Sequence, residues 1–344
     1  MRVGVGLMKW FEQAGVDQHI IISSRVRLAR NLNQFVFPSR LNPQVAKSVL
    51  QDVWSAASDP ENGLDFLELT NIPPWESSVL YERHLISRNM VNKNLPRGLA
   101  YGEGEKLSVM INEEDHIRIQ SVSAGNNLEA AYESAMELDD SLSKSLDYAF
   151  GDSFGFLTSC PTNTGTGLRA SYMLHIPFLE STGMLKVQME MLTKTGFTIR
   201  GTHGEGSSPH GSIYQISNQV TLGKSEDEII NALQRLVEQI VDKETQLRTQ
   251  ITKELNVEIL DDIWRAYGIL TNCRKIDLGE AMRLLSDMRL GVIMGIVPAP
   301  TGGRTIYSIM TNIQSNTLQT ITQQANDPRH LDALRADYLR QCFP

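Results

Sequence analysis

The chain predicts an α+β fold followed by a smaller all-helical domain, and three observations carry that expectation. Short apolar, strand-like runs recur at 19–22, 99–101, 107–113, 116–122, 197–200 and 213–216. Amphipathic stripes of helical spacing separate them. Beyond about Val241 the strand signals stop and helical periodicity takes over. The expected division is therefore 1–243 for the α+β part and 250–344 for the helical part.

In order along the chain, His19-Ile20-Ile21-Ile22 is strand-like and leads into Ser23-Ser24-Arg25-Val26-Arg27. Residues two apart on an extended segment share a face, so Arg25 and Arg27 can converge on one anion. The same pair also suits an ordinary charged surface. Asn42 is a helix cap with Pro43 at the first helical position, and Ala46, Val49, Leu50, Val53, Trp54 and Ala57 form the buried stripe. After Pro73-Pro74 a second helical stretch carries His84.

Between two strand-like runs lies Asn112-Glu113-Glu114-Asp115-His116-Ile117-Arg118. Alone it reads as a solvated polar turn. Read as strand, its alternation places Glu114 and Arg118 on one face, an acceptor beside a phosphate-gripping cation. Asn127 then opens a long amphipathic helix with Leu128, Ala131, Tyr132, Ala135, Leu138, Leu142 and Ala149 in its stripe.

The small-residue stretch at 156–171 includes Cys160-Pro161-Thr162 and ends in Arg169-Ala170-Ser171. Loops of this composition offer backbone N–H groups to anions, although no Walker-type Gly-Lys-Ser/Thr follows. Cys160 suits either a buried thiol or the entrance to an arginine-lined site. A helix at 183–193 and a strand at 197–200 precede a glycine-rich segment, 201–211, that suits a ligand-covering loop or a simple connector. Ser225-Glu226-Asp227-Glu228 is a capping box opening a long helix with Ile229, Leu233, Leu236, Val237 and Ile240 buried. Further helices are expected through Leu247, Ile251, Leu255, Ile259, Ile263 and Trp264, and at 278–290, 310–324 and 328–340.

Composition narrows the function. A formal net charge of -8 over 344 residues argues against a general nucleic-acid or anionic-membrane binder. Three scattered cysteines suit a reducing cytoplasm, and neither a signal peptide nor a membrane-spanning run is evident. Arg25, Arg27, Arg118, Arg169 and Arg200 each stand at or beside a strand end, with Glu114 and Glu205 in turns. Arginine's planar fork suits phosphate oxygens, and two spare carboxylates suit a cation, so the set describes a nucleotide site facing a basic acceptor.

Four blocks, 23–27, 112–118, 160–171 and 200–205, resemble in order the signature segments of the phosphagen (guanidino) kinases. The likeness covers about residues 20–243. The C-terminal helices, including 275–281 and 284–291, are similar to those of the family's bacterial protein-arginine kinases. The resemblance implies an antiparallel-sheet catalytic domain flanked by helices. It also implies transfer of the γ-phosphoryl group of ATP to a guanidinium, with Mg2+ held mainly by ATP and water rather than by protein ligands.

By the same resemblance, Glu114 and Glu205 bind the guanidinium, and Cys160 is the family's active-site cysteine. Ser23, Ser24, Arg25, Val26, Arg27, Arg118, Arg169, Ala170, Ser171, Tyr172, Met173, Arg200, Gly201, Thr202, His203 and Gly204 surround the nucleotide, with His84 near its adenine. Partners implied are arginine-bearing proteins, a Clp-type chaperone-protease and a second copy of the chain.

Two departures stand out. Small-molecule members often carry a further histidine shortly after the arginine of the cysteine block, where this chain reads Tyr172-Met173. Bacterial protein kinases of the family often carry Arg-Asp-x-x-Arg-Ala as a phosphoarginine pocket, where this chain reads Leu331-Asp332-Ala333-Leu334-Arg335-Ala336. With only Asp332 and Arg335 remaining, that pocket is expected to be weakened by about 1–3 kcal/mol. A small-molecule guanidino kinase and a catalytically silent adaptor are the competing readings.

Overall fold

The structure, a computed structural model, describes residues 8–91, 95–201, 211–253, 257–323 and 330–344. Its strands are β1 (Ile21–Arg30), β2 (Asp65–Glu68), β3 (Gly98–Tyr101), β4 (Leu107–Ile111), β5 (Ile117–Ala124), β6 (Phe150–Gly151), β7 (Gly155–Phe156), β8 (Leu168–His175), β9 (Phe197–Gly201) and β10 (Ile213–Asn218). Its helices are α1 (Pro43–Ala57), α2 (Pro74–Glu82), α3 (Arg88–Val91), α4 (Leu128–Ser143), α5 (Pro177–Ser181), α6 (Met184–Lys194), α7 (Glu226–Lys253), α8 (Val257–Asn272), α9 (Leu278–Ile293), α10 (Ile306–Asn312), α11 (Ser315–Thr322) and α12 (Leu331–Cys342).

Among the described residues eight strands form one antiparallel sheet, ordered β2-β3-β4-β5-β1-β8-β10-β9. Alternation divides its faces. Val26 and Leu28 of β1, Ile117 and Ile119 of β5, and Ala170 and Tyr172 of β8 join α1, α4 and α7 in the larger apolar core. Burial of those side chains drives this layer together, at about 1.5–3 kcal/mol for each large one. The intervening residues face the other way, and among them Arg25 and Arg27 are half-buried.

Local signals place the helices on the back layer. The Asn42 side chain accepts from the Val45 N–H at 2.9 Å, starting α1, and Trp54 stacks on Phe66 with centroids 4.6 Å apart. Ser225 and Glu228 exchange the two bonds of a capping box at 2.8 and 3.2 Å, starting α7.

Three expectations change. The α4 helix stops at Ser143, so Ala149 belongs to the next segment, where its N–H donates to the Asn31 carbonyl at 2.7 Å. The α2 helix stops at Glu82, leaving His84 beyond it in the left-handed region at φ 63°. The helix expected over 310–324 is two, α10 and α11, because the Glu82 carboxylate supplies a new N-terminus. It accepts from the backbone N–H groups of Asn316 and Thr317 at 3.1 and 2.7 Å, and from both side chains at 2.8 Å.

The α7 helix continues without a break through 243–250, where the sequence places the boundary. The helical region then packs on the front of the sheet. Trp10, Phe11, Val122, Met173 and Ile213 share a second core with Met288, Ile309 and Met310 of α9 and α10. Among the described residues no helix is long and apolar enough to cross a membrane.

Candidate active site

Strand register alone gathers the arginines. Arg27 of β1 lies directly opposite Arg169 of β8, and Ala29 lies opposite Arg118 of β5. Ser23 pairs with Met173, Met173 with Gln215 of β10, and Gln215 with Arg200 of β9. Residues paired across a ladder share a face, so the five arginines from four strands stand on the front of the sheet. There they line one cavity of about 550 Å³ together with Glu114, Cys160 and His84.

Burial and neighbouring like charges disfavour the charged forms of Arg25 and Arg27. Burial, then the nearby Arg118 and Arg169, lowers the Arg25 guanidinium to about 10. Burial and the neighbouring Arg25, Arg118 and Arg169 push Arg27 well below its ordinary value, although Glu113 works against this. Arginine stays protonated at neutral pH, so these shifts record first the cost of burying the guanidinium groups and then their mutual repulsion, the second of which a polyphosphate would offset. Arg27 Nε is buried with no hydrogen-bond partner among the described residues.

The segment 112–116 is a hairpin turn rather than strand. Asn112 takes φ 61° and its N–H donates to the His116 carbonyl at 3.0 Å, so strand alternation no longer relates Glu114 to Arg118. The residue facing Arg118 is Glu113, whose Oε2 accepts from Arg118 at 3.0 Å and from the Glu114 N–H at 2.7 Å. Its Oε1 accepts from Ser87 Oγ at 2.5 Å and Asn89 Nδ2 at 3.2 Å. Burial raises the Glu113 pKa, but Arg118 and these hydrogen bonds outweigh it and hold the carboxyl at about 2. Glu114 itself is exposed at the cavity rim.

The polar residues around it form the turn's foundation. Asp115 accepts from Asn31 Nδ2 and from the Ser159 N–H, each at 2.7 Å, which ties the Cys160 loop to the end of β1. His116 Nδ1 accepts from the Leu32 N–H at 3.0 Å, so Nε2 carries the proton and donates to the Val36 carbonyl at 3.0 Å. Thr221 Oγ1 donates to the carbonyls of Thr162 and Thr164 at 3.0 and 2.7 Å, fixing the loop's other side. Cys160 Sγ lies half-buried, 3.0 Å from Thr162 Oγ1. Gly167 must be glycine: it has φ 67°, and a Cβ there would sit 2.4 Å from Arg30 Nη1 and 2.6 Å from the Ala29 carbonyl.

His84 is held from two sides. Gln120 Nε2 donates to its carbonyl at 2.7 Å, and its Nε2 lies 3.1 Å from the Tyr307 hydroxyl of α10. Ser23, Arg25, His84, Ser171 and Met173 meet around a small cavity of about 10 Å³. Trp10, which carried no signal in the sequence, closes it, with ring centroids 6.3 Å from His84 and 5.8 Å from Tyr307. Asn31 and Thr221 carried no signal either, and Glu113, Asp115 and His116 stood in the 112–118 stretch without an assigned role. Only the crowding of polar residues at 112–116 hinted at a buried network.

Other expected site residues are placed elsewhere. The side chains of Ser24, Val26, Ala170 and Tyr172 turn to the back layer, away from the arginines. Val26 and Ala170 are core, Ser24 Oγ accepts from the Asn127 N–H at 2.9 Å, and the Tyr172 hydroxyl donates to Asn126 at 3.1 Å. Gly201 ends β9, and Thr202, His203, Gly204 and Glu205 lie outside the described residues. Asp332 and Arg335 do not form an open anion pocket. Arg335 is 2% exposed and donates to the carbonyls of Ile313 and Ile276 at 3.2 and 2.9 Å and to Asp332 at 2.8 Å. Its guanidinium joins α12 to the segments before α9 and α11.

Residues 44–247 match the family model for the ATP:guanido phosphotransferase C-terminal catalytic domain, and residues 256–344 match the protein-arginine kinase McsB C-terminal domain. The protein-arginine kinase of Halothermothrix orenii is 39% identical over 98% of this chain and 97% of its own. That of Clostridium kluyveri is 41% identical over 94% of each. Among solved structures, the duplicated taurocyamine kinase from Schistosoma mansoni superposes with a TM-score of 0.62 at 27% identity, over 71% of this chain and 35% of that one. Lombricine kinase shares the fold, with a TM-score of 0.60 over 71% of this chain and 70% of its own.

The arginine-faced antiparallel sheet and these matches define a guanidino phosphotransferase. In particular, the chain belongs to the ATP:guanido phosphotransferase family.

Proposed function

We propose that this protein transfers the γ-phosphoryl group of ATP to the guanidinium of arginine side chains in proteins. The observation that carries the reading is the single cavity collecting five arginines with Glu114 and Cys160. The protein nature of the substrate is supported by relatives named protein-arginine kinases that align along the helical region as well as the sheet.

In this reading Arg25, Arg27, Arg118, Arg169 and Arg200 grip the polyphosphate and neutralise charge on the transferring group. Glu113 fixes Arg118, so that guanidinium is oriented before the nucleotide arrives. Mg2+, when bound, screens the β- and γ-phosphates. The phosphates and water are its natural ligands.

A guanidinium nitrogen is a poor nucleophile while its lone pair is delocalised. Glu114, and Glu205 from the segment 202–210, would align that nitrogen in line with the phosphorus. As the N–P bond forms and the P–O bond to ADP breaks, one proton leaves the nitrogen for a carboxylate, with Glu114 our first choice. Cys160, which lines the same cavity, would contact the guanidinium.

We assign catalysis to 1–243 and partner contacts to 250–344, in a cytoplasmic homodimer whose modified substrates pass to a Clp-type protease. The exposed Trp264 and Val257 of α8 support a dimer contact there. The buried Arg335 argues for reduced regulation through the tail. Incubation with Mg-ATP and an unstructured protein should yield acid-labile, alkali-tolerant phosphate on arginine, located by mass spectrometry. Phosphorylation of free arginine alone would make it a small-molecule kinase instead.

A further inference from the structure

A second cavity, about 470 Å³, lies beside the arginine cavity, between the α2–α3 segment and the helices α9, α10 and α11. Its size is that of a ligand site. Its walls are mostly apolar: Tyr81, Val91, Leu278, Met282 and Met310. The two cavities share Tyr81, His84 and Arg88 in their walls, so they are neighbours.

The short helix α3 measures how close the two sites are. Ser87 and Asn89 hydrogen-bond Glu113, the residue before the proposed base, and Val91 lines the second cavity two residues further on. The backbone that anchors Glu113 therefore lies one helical turn, about 5 Å, from Val91 on the apolar wall. An extended polypeptide advances about 3.3 Å per residue. A chain presenting its arginine to Glu114 thus brings a side chain two to four residues away over this cavity.

The origin of the far wall says which substrates would use it. Leu278, Met282 and Met310 lie within 256–344, the region matched by the protein-arginine kinase C-terminal domain and outside the catalytic-domain match at 44–247. A free guanidine ends at the arginine cavity and has nothing to place there. A polypeptide does. Methionine thioethers adapt to differently shaped apolar partners, which fits a site serving many sequences.

We propose that this cavity binds an apolar side chain of the substrate polypeptide, two to four residues from the target arginine, and so selects which arginines are phosphorylated. The inference rests on the protein-arginine kinase reading.

The test is a peptide series with the whole protein: one arginine in a glycine-serine background, with a single leucine walked from four residues before to four after. At one or two positions leucine should raise kcat/KM about tenfold, through KM, as one well-buried aliphatic group does. Leu278→Gln and Val91→Gln should abolish that preference while leaving the KM for ATP and the rate on the leucine-free peptide unchanged. That leucine-free rate also reports correct folding.

Peptides phosphorylated without positional preference would overturn the inference and leave the kinase reading standing. A raised KM for ATP in both variants would also overturn it, assigning the cavity to the nucleotide. Phosphorylation of free arginine with no peptide accepted would remove both.

Discussion

Glu114 stands at the rim of the arginine cavity, and Glu113 lies buried beneath it. The two neighbours are therefore expected to fail differently when neutralised. Glu114→Gln should lower kcat by about 10²–10⁴-fold, the usual worth of a positioned general base, with little change in the KM for ATP. An unchanged rate of arginine phosphorylation would remove Glu114 from the chemistry. Glu113→Gln should weaken nucleotide binding through a loosened Arg118, and it should also change acid stability. Its folded pKa, about 2, lies below the ordinary value of 4.5. The stabilisation is therefore complete above about pH 4.5 and is lost as pH falls toward 2. Acid unfolding followed by circular dichroism should be flatter across that window in Glu113→Gln. The division between the two carboxylates was not legible in the sequence. Alternation correctly put Arg25 and Arg27 on one face because it is local, but it failed at Glu114, where Asn112 reverses the chain. The groups that claim Glu113, at Ser87 and Asn89, come from 26 and 24 residues away.

At the scale of elements, α2 couples the catalytic cavity to the helical region through its last residue. Glu82 caps α11 with four hydrogen bonds, and two residues later His84 enters the cavity held by Gln120 and Tyr307. A carboxylate at a helix N-terminus is favoured by the macrodipole as well as by the orphan N–H groups. Glu82→Ala would leave those donors unsatisfied and should cost about 1–3 kcal/mol, read as a lower urea midpoint with an unchanged slope. A midpoint equal to wild type would show that water replaces the carboxylate. The helices capped by their own sequence, α1 at Asn42 and α7 at Ser225, were legible as helices with starts. The break between α10 and α11 was not, because its cap comes from Glu82, more than two hundred residues earlier.

At the scale of the whole molecule, the helical region forms part of the sheet's front core. Trp10 and Phe11 from the N-terminal segment, Val122 and Met173 from the sheet, and Met288, Ile309 and Met310 from the helices belong to one buried cluster. The front face carries two kinds of surface, arginines toward one end of the strands and apolar side chains toward the other, and the second kind is covered by the N-terminal segment together with α9 and α10. Strand alternation shows which residues share a face but not what covers them, so the all-helical domain expected over 250–344 gave no sign of this shared core. The shared cluster predicts cooperative unfolding of the whole chain. Trp10, 2% exposed where N-terminal segment, His84 and Tyr307 meet, is the natural reporter once Trp54, Trp75 and Trp264 are each changed to Phe. Its fluorescence and far-ultraviolet circular dichroism should give coincident urea transitions. A Trp10 transition at lower urea than the loss of helix and sheet would show the junction opening first. The helical region would then be a docked module that can leave the catalytic face while each part stays folded.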